Sequence, residues 1–331
     1  MAVELRDHVT LKKEALDNGW IQYKKDKKTK IATITFNRPD KQNATNIGMR
    51  QLYGEFIHKA NVDDDVKVLV IRGEGNNFGA GGDLPEQAEM LSESSGDVSL
   101  LPEFGIDDPD VKYPPKNSFR FIHSLVDEYA KAPAGNRSLQ EFKKISILET
   151  KGYCYGWHFY QAADVDLIVS SDDTLFGHPS FRYVGWAPRI WQWCETMGVR
   201  KFMEMMFTGR PFTAQEMYDI GFVNSVVPRE KLEEETMKYA LACATSRPVD
   251  TVQVQKTFFE VFKQHKGEYM GSLVSAWVEG MLPAVKEDKG MNDVVLGDEV
   301  FKERGLNNVV KDVDMLYPPE WRLAHSNRKK P

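Results

Sequence analysis

"KVLVIRGEGNNFGAGGDLPE" occupies residues 67–86. Its first third is an almost unbroken apolar run, the pattern of a strand covered on both faces. Gly79, Gly81 and Gly82 then strip side chains from the turn that follows, so the chain can bend sharply and its backbone can come close to a ligand at the strand end. Asp83 fits as the cap of whatever helical turn starts next. A buried strand delivering a glycine-rich turn is an arrangement that exposes backbone N–H groups at the end of a sheet.

The same period recurs on either side. "IATITF" (31–36) alternates as a strand, and Met49, Leu52, Phe56 and Ile57 recur at helical spacing before "NVDDD" ends the helix. "ISIL" (145–148) and "DLIVS" (166–170) read as two more strands, separated by "KGYCYGWHFYQAADVD" (151–166). Strands alternating with helices predict an α/β core. From Val199 onward "VRKFMEMMFTG", "TAQEMYDIG" and "REKLEEETMKYALACATS" are helical in period, broken by Gly209, Gly221 and Pro228. Two regions are therefore expected: a core over 20–198 and a helical C-terminal region over 199–331. The stretch 85–118 holds five prolines and eight acidic residues against two lysines, which marks an insertion in the core. The polar end, "RLAHSNRKKP", is expected to fray.

Composition narrows the function. An apolar share of 41% with 28% charged residues suits a globular enzyme, and a net charge of -6 gives no footprint for nucleic acid. Cys154, Cys194 and Cys243 form no close pair, which argues against a disulfide framework or thiolate metal site and favours a reducing, cytoplasmic setting. No stretch has the length and apolarity of a membrane span.

"ITFNRPDKQNAT" (34–45), the glycine-turn segment, "KKISILETKGYCYG" (143–156), "DLIVSSDDTLFGHPSF" (166–181) and "FTGRPFTAQEMYDIGFVNSVVP" (207–228) fall in the order and spacing of the crotonase, or enoyl-CoA hydratase/isomerase, superfamily, which the chain resembles over residues 20 to 265. The resemblance implies an α/β fold, a spiral of β-β-α units followed by a helical region that forms trimers or dimers of trimers. It implies a small-molecule substrate, usually an acyl-CoA with CoA as part of the substrate rather than a separate cofactor, and no metal. It further implies an oxyanion hole of two backbone N–H groups, one carried over to Ala80 within the Gly79, Gly81, Gly82 and Asp83 turn, the other to Trp157.

The carry-over also exposes departures. His158 stands where a family glycine is common, and the two hydratase glutamates match Tyr160 and Ser180. Without that carboxylate pair, acid–base chemistry falls to other groups. His158 and His178 have the unperturbed pKa for it, with Tyr160 or Ser180 as a hydroxyl partner and His123 in reserve. The expectation is an enzyme, a lyase or isomerase, in which His158 and a hydroxyl replace the carboxylates. Two other readings stand beside it. One is the CoA-independent branch of the superfamily, which hydrolyses a C–C bond in cyclic β-diketones and also carries a histidine near this position. The other is a non-catalytic scaffold.

Overall fold

A computed structural model describes residues 8–86, 139–183, 185–281 and 306–328, with Asp110, residues 118–120 and His123. The acidic insertion therefore falls largely outside the described residues.

Helix α1 (His8–Asp17) leads into strands β1 (Ile21–Asp26) and β2 (Ile31–Phe36), then α2 (Ile47–Val62), β3 (Val68–Gly73), β4 (Ile145–Thr150), β5 (Tyr153–Tyr155), α3 (Trp157–Asp164), β6 (Leu167–Ser171) and β7 (Leu175–Gly177). After these come α4 (Ile190–Met197), α5 (Val199–Thr208), β8 (Phe212–Thr213), α6 (Ala214–Asp219), β9 (Ser225–Val227), α7 (Leu232–Thr245), α8 (Val249–His265), α9 (Glu268–Met281) and α10 (Leu306–Leu316). Strands β1-β2-β3-β4-β6-β9 form one sheet, parallel except for the β1–β2 pair, and β5-β7-β8 form a small second sheet. The four strands expected from apolar pattern are β2, β3, β4 and β6; six-residue β1 is a half-exposed edge strand of mostly polar residues, and the two- and three-residue strands carry too few side chains to show a period.

Alternation along the strands sorts the core into two layers. Ala32, Ile34, Phe36, Leu69, Ile71, Leu148 and Ile168 face Met49, Leu52 and Phe159, while Ile31, Val68, Val70, Ile147 and Val169 pack against Leu232 and Ala240 of α7. Both faces of the parallel strands are thus covered, which is why "KVLVIRG" shows no polar alternation.

The C-terminal segment corrects an expectation. Instead of fraying, it returns to β5: the Tyr155 hydroxyl donates to the Leu323 carbonyl at 2.8 Å, and the His325 ring stacks on Tyr153 with centroids 4.9 Å apart. Asp314 accepts from the Leu323 amide at 2.7 Å and from buried Arg182 at 2.9 Å. Polar residues hold this segment, so apolar pattern gave no hint of it.

Candidate active site

Two backbone turns meet at the sheet's C-terminal edge. The first is the glycine turn after β3, fastened on both sides by the "NRPDKQNAT" loop. Thr45 N–H donates to the Gly81 carbonyl and Asp83 N–H to the Thr45 carbonyl, each at 2.9 Å. Buried Asn43 donates to the carbonyls of Glu74 and Asn77 at 2.9 and 2.8 Å. Asp83 pairs with Arg38 at 2.5 Å and accepts from Glu86 N–H at 3.4 Å, the capping role expected of it. The second turn is Gly156, which starts α3. A Cβ on Gly81 (φ 112°) would lie 3.3 Å from the Tyr155 carbonyl oxygen and 3.6 Å from the Trp157 nitrogen, so only glycine lets the turns approach this closely.

Within the first turn the carried-over donor is corrected. Ala80 N–H donates to the Gln42 carbonyl at 3.0 Å and Gly81 N–H to His158 Nδ1 at 3.2 Å, so both amides are already used. Gly82 N–H has no such partner among the described residues, and its neighbour Gly81 lies against the start of α3, whose first amide, that of Trp157, points away from the helix body. The candidate donor pair is Gly82 and Trp157.

His158 is also corrected. Its exposure is 0%, and its ring lies edge-on to Phe36 and Phe78 with centroids 4.9 and 5.0 Å away. Because Nδ1 accepts from Gly81, the proton resides on Nε2, a buried atom with no hydrogen-bond partner. Burial, then the charge of Arg50, pulls its pKa down to about 3. A neutral imidazole sealed beneath the turn cannot trade protons with a substrate; it props the turn from below. Gly79 makes room for it, since a Cβ there would stand 2.1 Å from His158 Nε2.

The other aromatics of "WHFY" are core residues. Trp157 packs edge-on against Phe36 and Tyr53, and Phe159 stacks on Trp193 with centroids 4.5 Å apart. They fill the space between sheet and helices that a glycine run would leave empty.

Tyr160, His178 and Ser180 do come together. Ser180 Oγ donates to the Trp186 carbonyl at 3.0 Å and therefore accepts from His178 Nδ1–H. His178 Nε2 in turn accepts from the Tyr160 hydroxyl at 2.9 Å, with the two rings stacked. The protons thus run in one direction, from Tyr160 through His178 to Ser180, and only the last meets a backbone carbonyl. Burial lowers the His178 pKa to about 3, while burial first and the charge of Glu279 second raise that of Tyr160. The chain is a neutral hydrogen-bonded platform at ordinary pH. His123 is exposed, with its ring 4.8 Å from that of Trp277 on α9.

Two groups were not anticipated from sequence. Arg50 on α2 donates to Thr45 Oγ1 at 3.2 Å and lies 5.6 Å over the Trp157 ring. Glu279 on α9 has a buried Oε2 with no hydrogen-bond partner, and burial raises its pKa to about 7. A polar stripe at 268, 272, 275 and 279 along α9 is the sequence signal, because those positions share one helix face.

The enoyl-CoA hydratase/isomerase family model matches residues 26–100 and 129–275, more than half of the chain. The chain belongs to the enoyl-CoA hydratase/isomerase family. It is 28% identical to human enoyl-CoA hydratase domain-containing protein 3, mitochondrial, over 72% of this chain and 69% of that one. It is likewise 28% identical to the trans-2-decenoyl-(acyl-carrier-protein) isomerase of Streptococcus mutans, over 62% of this chain and 69% of the relative. A solved enoyl-CoA hydratase of Mycobacterium smegmatis superposes with a TM-score of 0.69 over 93% of this chain and 96% of its own, at 23% identity, and shares the fold.

Proposed function

We propose that the chain binds an acyl-CoA thioester with the carbonyl oxygen between Gly82 N–H and Trp157 N–H and stabilises the enolate that forms when a neighbouring carbon loses a proton. The observation that carries this is the approach of the two turns at Gly81 and Gly156, with Gly82 N–H left over among the described residues when Ala80 and Gly81 have found partners. Charge grows on that oxygen as the enolate forms, and each fixed donor in a dry site contributes about 3–4 kcal/mol to the transition state. Adding butanoyl-CoA or decanoyl-CoA is expected to raise Tm well above the effect of CoA alone, by the equivalent of about 2.7 kcal/mol at a hundred times Kd. No stabilisation by either thioester would defeat the reading.

Enolate chemistry without water addition is the form of activity the site supports. Hydration needs one group to activate water and another to protonate the α-carbon, and Tyr160 and Ser180 are both committed to His178. Each missing acid or base costs about 10²–10⁴ in rate. Hydration of crotonyl-CoA, followed by loss of enoyl absorbance, is expected to be at least about 10⁴-fold below that of a two-carboxylate hydratase assayed alongside; turnover within tenfold of it would contradict this. The sealed position of His158 gives no support to the diketone-cleaving alternative, which would need a histidine in reach of water.

Self-association belongs to the same proposal. Val254, Phe258, Phe259, Val261 and Phe262 of α8 are all exposed, the kind of apolar face that a trimer would cover. A cytoplasmic setting also remains part of the proposal, resting on three free cysteines.

A further inference from the structure

We infer that Glu279, carried on α9 far outside the segments that form the two turns, is the catalytic base of this site: its carboxylate takes the proton from the carbon beside the thioester carbonyl. The inference rests on the acyl-thioester reading and supplies the proton carrier that reading lacks.

The geometry begins at Trp186. Its carbonyl ends the Tyr160–His178–Ser180 chain, and its indole N–H donates to the Ser275 carbonyl of α9 at 3.1 Å. Ser275 and Glu279 are one helical turn apart on the same face. Buried Ser272, on that face too, receives hydrogen bonds from Gln192 at 2.7 Å and Arg189 at 3.3 Å. Arg189 also pairs with Asp164 at the far end of α3, both side chains at 0% exposure. The helix that presents Trp157 N–H and the helix that presents Glu279 are therefore joined through one buried network.

Glu279 has the properties of a proton carrier. No ion pair or hydrogen bond engages it among the described residues, although structural carboxylates in this protein, Asp164, Glu268 and Asp314, are all paired. It is close enough to Tyr160 for its charge to be felt at the phenol. Among the described residues, the charged and titratable groups turned towards this region are Tyr160 and His178, both neutral, and His123, whose ring packs on Trp277 of the same helix, with Arg50 and Arg189 acting on Tyr160 at longer range. A carboxyl poised near neutrality divides its time between base and acid.

The step balances on one carboxylate. The α-carbon's C–H pair becomes the C=C of the enolate, the carbonyl π pair moves onto oxygen between the two amides, and the proton resides on Glu279. The protonated carboxyl then gives a proton back at the α-carbon or, for a 3-enoyl thioester, at the γ-carbon, moving the double bond with no change in oxidation state. Isomerisation is thus the net reaction a single base can complete.

Deuterium incorporation at the α-carbon of butanoyl-CoA and decanoyl-CoA in heavy water reads the first step alone. Wild-type protein is expected to catalyse exchange with a rate that rises with pH about a midpoint near 7. Glu279→Gln should lower exchange by about 10²-fold or more with Kd for the thioester changed less than threefold, and Glu279→Asp should recover part of the rate. Exchange in Glu279→Gln within threefold of wild type overturns the inference, as does thioester binding by wild type without exchange. Loss of binding together with exchange assigns Glu279 a structural role instead. Failure of wild type to bind either thioester defeats the underlying acyl-thioester reading, a separate result.

Discussion

Gly79→Ala is expected to destabilise the fold by about 3 kcal/mol, at the upper end for an added methyl, because the new Cβ would meet three atoms of the His158 ring at 2.1 to 2.3 Å. Neither side can yield: the ring is wedged between Phe36 and Phe78, and the turn is tied to Thr45 and Gln42. His158→Ala alone should cost about 2–4 kcal/mol through the cavity it opens and the partner it takes from Gly81 N–H. The double variant should be better than the sum, since the alanine methyl at 79 enters space the imidazole has left. Urea denaturation of the four proteins is expected to give a favourable coupling of about 2 kcal/mol or more. Additivity within about 0.5 kcal/mol would mean the two positions do not share that space.

The second large effect is on the pH dependence of stability. His158 has its pKa depressed from 6.5 to about 3 in the folded state, so the unfolded chain takes up a proton that the native one refuses. Its contribution is complete above pH 6.5 and is lost as pH falls towards 3, at about 1.4 kcal/mol per unit. Glu279 runs the other way. Its folded pKa is raised from 4.5 to about 7, so its contribution is complete below pH 4.5 and is lost as pH rises through 7. Glu279→Gln should therefore be more stable than wild type by about 3 kcal/mol at pH 8, with the advantage vanishing near pH 4.5. His158→Gln, whatever its absolute stability, should show an acid limb shallower by about 1.4 kcal/mol per pH unit between 6 and 4. Parallel curves for Glu279→Gln and wild type would show that the carboxyl is not held uncharged by burial.

Much of this could be read from the chain. β3, β4 and β6 follow from apolar runs, as expected of parallel strands covered on both faces, and β2 from the alternation in "IATITF". The family order of the motifs places both turns. What one dimension hides is how an amide is used: Ala80 and Gly82 differ only in whether Gln42, 38 positions away from the first, supplies a carbonyl. The role of His158 was hidden for a similar reason, since a histidine on a ligand-facing loop and one sealed beneath it look alike until Gly79 is seen to make the space. Glu279 escaped because its burial depends on α9 packing beside α4, and nothing around it in sequence resembles a motif. Tyr160 and Ser180 are expected from sequence to work chiefly with His158, whereas in the fold both hydrogen-bond to His178, and the direction of their protons could come only from Trp186, the acceptor at the end of the line.

The buried Arg189–Asp164 pair has a consequence for how this enzyme could diversify. Ions in a dry interior tolerate little displacement, because separating them leaves each without solvent. Under the proposed assignment of Glu279 as the base, this lock sets the span between the amide of Trp157 and that carboxylate like a caliper, and with it the distance from the bound carbonyl to the carbon that is deprotonated. On that reading, a variant of this chain that keeps the Arg189–Asp164 pair would change which acyl tails it takes without moving the reacting carbon.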